Sequence, residues 1–68
     1  MTLHEAIAVV LREGCKTKRE IADEINRRKL YQKGDGTPVE SGQISARVNR
    51  YRKWFEQEGL LQLIKSNR

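Results

Sequence analysis

Apolar residues return at helical spacing in three stretches of the chain. Leu3, Ala6, Ile7, Val10 and Leu11 stand at i, i+3, i+4, i+7 and i+8, the stripe by which a surface helix faces a core. Thr2 and Glu5 form a Thr-x-x-Glu capping box at its start, and Gly14 stands where such a helix stops, which predicts a helix over 3–13. Thr17 and Glu20 repeat the device ahead of Ile21, Ala22 and Ile25 and predict a second helix over 18–28. Arg19, Asp23 and Arg27 fall on its outer side. The pairs Asp23 with Arg27 and Glu24 with Arg28 have the favourable order for i,i+4 contacts, so part of this charge supports the helix.

The stretch between Tyr31 and Val39 carries Gly34, Asp35, Gly36 and Pro38 and reads as a loop. It lacks the glycine spacing and the Lys-Ser/Thr end of a phosphate-binding loop, and no hydrophobic strand precedes it as a dinucleotide loop requires. Ser41 then offers a cap for a third helix over 41–51, with Ile44, Val48 and Tyr51 as its inner stripe. At about 100° per residue the outer arc holds Gly42, Gln43, Ala46, Asn49 and Arg50, flanked by Ser45 and Arg47.

Beyond Lys53 the period changes. Trp54, Phe55 and Glu56 precede a glycine-containing stretch, Gln57, Glu58 and Gly59, and the dense apolar run from Leu60 to Ile64 follows. Two short strands around a turn are predicted, because Gly59 is a poor residue for a helix interior. Trp54 and Phe55 are expected in the core, since a domain with so few aromatic residues needs them inside. The resulting fold class is mostly α with a small β-hairpin: a winged helix-turn-helix, three helices followed by a two-stranded wing. Residues 1–68 make one domain, with an ordered core over about 2–64 and a basic tail at 65–68.

Composition narrows the function. Fourteen Lys and Arg against nine Asp and Glu give a formal charge of +5 and a pI of about 9.8, a balance that suits an anionic partner. A chain this short has little room for a deep small-molecule cavity. The single cysteine, Cys15, excludes an internal disulfide, fits a reducing compartment and reads as a plain loop residue. With His4 it falls short of a zinc ligand set, so neither metal nor cofactor is expected. The longest apolar run, 6–11, is far below the roughly 20 residues of a membrane span, and no signal-peptide pattern is present. A soluble cytoplasmic protein, nucleoid-associated if bacterial and a monomer in isolation, is expected. With no nucleophile beside a base, it is not read as an enzyme.

The outer face of helix 3 is the informative surface. Gln, Asn and Arg make paired hydrogen bonds to base edges, and small residues such as Gly42 and Ala46 let a helix backbone approach a groove. The candidate DNA-binding residues are therefore Gln43, Ala46, Arg47, Asn49 and Arg50 on the base-facing surface, with Lys33, Arg52 and Lys53 on phosphates. The other reading of this face is a solvated polar surface.

The opening Thr-Leu-His-Glu-Ala-Ile, the Arg-Glu-Ile-Ala-Asp-Glu-Ile of helix 2 and the Gln-Ile-Ser-Ala-Arg-Val of helix 3 resemble the HARE-HTH family. So do Thr37, Pro38 and Val39 ahead of helix 3 and the Trp54-Phe55 step. The resemblance spans about 3–64. It implies a winged-helix module of the kind found in chromatin-associated, restriction-modification and transcription proteins, in contact with DNA or its machinery. The chain departs from the family at Cys15 and Lys16, where many members carry a proline and an apolar residue, and at Glu56 and Glu58, carboxylates that would repel phosphates from a wing.

Two functions follow. The first is non-catalytic binding of double-stranded DNA, with helix 3 in the major groove. The second is a protein-interaction module of a nucleic-acid-associated or transcription complex, using the hairpin edge that carries Leu60 and Ile64.

Overall fold

The computed structural model describes residues 1–64; the expected basic tail at 65–68 lies outside the described residues. The chain runs through α1 (Leu3–Arg12), α2 (Lys18–Arg28), α3 (Ser41–Arg50) and α4 (Arg52–Gln57), then a 3-10 turn at Leu61–Leu63. Both predicted capping boxes are present. Glu5 N–H donates to Thr2 Oγ1 at 3.4 Å and Thr2 N–H to Glu5 Oε1 at 2.9 Å. Glu20 and Thr17 exchange the same two bonds at 3.2 Å each. Each box satisfies N–H groups that a helix start leaves without an internal partner.

Helix ends are as regular as the starts. At the end of α1, Gly14 N–H donates to Leu11 O and Cys15 N–H to Val10 O, both at 3.1 Å. At the end of α2, Lys29 donates to Asn26 O at 3.3 Å and Leu30 to Ile25 O at 3.1 Å. At the end of α4, Gly59 donates to Glu56 O at 3.1 Å and Leu60 to Phe55 O at 2.9 Å. This crossed pair of bonds defines a Schellman end and requires a left-handed residue between them. Gly14, Lys29 and Gly59 supply it, with φ of 111°, 54° and 72°.

The last of these ends overturns the expected wing. No strand occurs among the described residues, so the fold is all-α and not a three-helix domain with a β-hairpin. Tyr51, Trp54, Phe55 and Glu58 stand at i, i+3, i+4 and i+7, which is helical spacing. In a strand, the neighbours Trp54 and Phe55 would point to opposite faces. In α4 both reach the hydrophobic cluster, Phe55 fully buried and Trp54 half-buried with its ring edge-on to Phe55 at 5.0 Å between centroids. The expectation that Trp54 is a core residue therefore gives way to a position at the core's rim. Gly59 ends a helix instead of turning a hairpin, and without a partner strand the apolar run closes as a 3-10 turn, Leu63 N–H to Leu60 O at 2.9 Å.

α3 and α4 are two arms of one bent helix. Tyr51 N–H donates to Arg47 O and Tyr51 O accepts from Phe55 N–H, both at 3.0 Å, while Tyr51 itself sits at φ −108° and ψ 32°. The cap of α3 is Glu40, one residue ahead of the expected Ser41: its N–H donates to Gln43 Oε1 at 3.0 Å. The core joins α1 (Leu3, Ile7, Val10, Leu11), α2 (Ile21, Ile25), α3 (Ile44, Val48), Phe55 and Leu60, with Val39 sealing the loop side. No described helix is long and apolar enough to cross a membrane.

Candidate nucleic-acid interface

The buried side of α3 turns the rest of that helix outward. Ile44 and Val48 are buried, whereas Gly42, Ala46, Asn49 and Arg50 are exposed and Gln43, Ser45 and Arg47 are half-exposed. The outer arc thus has the composition read from the periodicity. Between residues 41 and 53 there is no Asp or Glu, while Arg47, Arg50, Arg52 and Lys53 all fall there.

Three of the described arginines are taken up in ion pairs. Arg12 pairs with Glu58 at 2.8 Å, Arg28 with Glu13 and Glu24 at 2.5 Å each, and Arg27 with Glu24. The expected Asp23–Arg27 pair is replaced by this i,i+3 contact, since Glu24 faces both arginines. Lys18, Arg47, Arg50, Arg52 and Lys53 have no ion-pair partner among the described residues. Arg19 on α2 and Lys16, Lys29 and Lys33 are likewise without an ion pair among the described residues; what sets the 41–53 stretch apart is that it carries four cations and no carboxylate.

Each predicted site residue has a definite surrounding. Arg47 and Arg50 flank the Tyr51 ring, each guanidinium carbon 6.0 Å from its centroid, within cation–π range. His4 packs on the other side of this cluster, 4.2 Å from Tyr51 and 4.9 Å from Trp54 between centroids. A contact of this kind leaves the guanidinium hydrogen-bond donors free for a ligand. Gln43 spends its Oε1 on the α3 cap and keeps only its amide N–H groups for a ligand. Lys53 is exposed on α4. Lys33 is half-exposed in the loop, where its carbonyl accepts from Gly36 N–H at 2.9 Å.

Asn49 and Arg52 line a groove with a residue the sequence reading passed over, Lys18. Lys18 Nζ lies 3.3 Å from Ser45 Oγ, bridging α2 to α3. Its position in sequence, next to the Thr17 cap, gives no sign of this. Asn26 is the second such residue. Its side-chain amide donates to Val39 O at 2.8 Å and accepts from Val39 N–H at 2.9 Å, fixing the loop where it turns into α3.

A second hollow is acidic. Glu13, Glu20, Asp23 and Glu24 surround Cys15 in an open hollow beside Arg28. Burial, and then the charges of Glu24 and Glu20, push the Cys15 thiol above its ordinary value, which makes it a poor nucleophile. Among the described residues no cluster of His, Cys, Asp and Glu has the arrangement to hold a metal.

The two carboxylates expected on the wing turn occupy helical positions instead. Glu58 caps the end of α4 and pairs with Arg12, and Glu56 lies exposed on α4. The hairpin edge assigned to a protein partner is absent with the hairpin: Leu60 is buried against Phe55's end of the core. Comparison with protein-family models, with curated proteins and with solved structures finds no match to this chain.

Proposed function

We propose that this chain is a non-catalytic helix-turn-helix module that binds double-stranded DNA through the outer face of α3. The observation that supports it most is the local charge: residues 41–53 carry Arg47, Arg50, Arg52 and Lys53 with no Asp or Glu among them, and none of these four is ion-paired among the described residues. A polyanion releases counterions when it meets such a face, which gives binding without any pocket. Asn49, Arg50 and Arg47 supply donors and acceptors for base edges, with Ala46 leaving room for close approach. Arg52, Lys53 and Lys33 serve phosphates. The resemblance to the HARE-HTH family supports the same reading through its helix residues, not through a wing.

Titration of short duplex DNA, followed by fluorescence anisotropy and by residue-resolved NMR, tests the proposal. Arg47→Ala and Arg50→Ala are each expected to weaken binding by about 1 to 3 kcal/mol with the fold intact. The log-log salt slope should be about −4 if four or five phosphates are neutralised. Absence of duplex binding by the parent chain even at low salt overturns the reading.

A further inference from the structure

The groove at the α3–α4 bend combines cations with an apolar wall. Its lining is Lys18, Val48, Asn49, Arg52, Leu61 and Ile64, around an open volume of about 240 Å³. Two cations and an amide come from separate elements, α2, α3 and α4, and no carboxylate lines it. Val48, Leu61 and Ile64 supply an apolar wall. Such a wall lowers the local dielectric and makes each charge count for more than it would on open surface.

Lys18 is not a freely waving surface lysine. Its contact with Ser45 Oγ holds the ammonium against α3, yet a neutral hydroxyl leaves the charge itself unmet. The ammonium has three N–H donors and the guanidinium of Arg52 has five. We propose that this groove seats one backbone phosphate of the duplex, held by Lys18 and Arg52 together, with Asn49 donating from its side-chain amide and Ser45 positioning Lys18. The inference rests on the duplex-binding reading above and adds to it a specific anion seat and a residue, Lys18, outside the predicted interface. The 3-10 turn that stands where a wing was expected forms part of the seat through Leu61.

The test is the salt dependence of duplex binding by the full chain and its variants. Lys18→Gln and Arg52→Gln should each lower affinity about three- to tenfold at fixed salt, and Lys18→Arg should retain binding. Ser45→Ala should weaken binding less than Lys18→Gln. Because the two cations share one phosphate, the double variant should reduce the magnitude of the log-log salt slope by about one. A reduction of about two means two separate phosphates and overturns the shared seat. An unchanged slope with undiminished affinity removes the groove from the interface while leaving α3 binding intact. A parent chain that binds no duplex brings down both proposals, a result distinct from either of these. Circular dichroism of each variant shows that the helices persist, and Lys18→Arg and Ser45→Ala keep the test open should Lys18→Gln lower stability.

Discussion

Asn26, near the end of α2, makes two hydrogen bonds to the backbone of Val39: Nδ2 to Val39 O at 2.8 Å and Val39 N–H to Oδ1 at 2.9 Å. One side chain satisfies both polar groups of a buried residue, in the way a neighbouring strand would. It joins the two ends of the long loop over 29–40 and sets the point from which α3 starts. The exposed face of α3 is thus held in place by an amide on another helix. Asn26→Ala should destabilise the fold by about 1 to 3 kcal/mol, since it leaves two partly buried backbone groups unmet. Urea unfolding measures this, and an unchanged midpoint would show that water replaces the amide without loss.

Lys29 and Gly59 occupy equivalent left-handed positions at two helix ends, and they should respond to substitution in opposite directions. A residue with a Cβ pays roughly 1 to 2 kcal/mol there, partly offset by the greater unfolded-state freedom of glycine. Lys29→Gly is expected to stabilise by about 0.5 to 1 kcal/mol and Gly59→Ala to destabilise by about 1 kcal/mol. Thermal melts of the two variants check both signs. Equal melting temperatures for parent and Gly59→Ala would mean that α4 does not end at Glu58 in this manner.

Phe55 and Trp54 are neighbours with unequal burial. Phe55 is fully enclosed, whereas Trp54 sits at the rim between His4 and Phe55. Phe55→Ala should cost about 3 to 5 kcal/mol, the range for emptying a large aromatic site. Trp54→Ala should cost clearly less. Guanidinium unfolding of the two variants separates them, and the reverse order would contradict the placement of α4.

The fold should weaken in acid through its cap carboxylates. Hydrogen bonds from backbone N–H groups, of Thr2 to Glu5 and of Thr17 to Glu20, hold both carboxyls below the usual range, and the Arg27 side chain does the same for Glu24. A carboxylate depressed in the folded state binds protons more readily when unfolded. Its contribution is present above the unfolded value of about 4.3 and is lost as pH falls through the lower folded value. Melting temperature should therefore decline below about pH 4.3. In Glu5→Gln and Glu20→Gln the decline should be shallower; an identical acid limb would show that other groups set it.

What the residues determine by themselves in this chain is local. Thr2 with Glu5 and Thr17 with Glu20 lie within one helical turn, so their boxes and the starts of α1 and α2 follow from spacing alone. The outer arc of α3 follows from the period of Ile44 and Val48 in the same way. The run from Trp54 to Ile64 was ambiguous by this logic, because Gly59 serves equally in a hairpin turn and after a helix, and adjacent apolar residues satisfy either period. Packing decided it: Phe55 and Leu60 enter one core with Ile7 and Ile44, and a helix closed by a Schellman bond pair brings both there while a two-stranded ribbon would place neighbours on opposite faces. Asn26 with Val39 and Lys18 with Ser45 lie 13 and 27 residues apart and meet only because α2 docks on α3. Interactions that depend on how helices dock leave no periodic trace in a sequence, and they are the ones that bring the Lys18 ammonium to α3 and fix the start of that helix through Asn26.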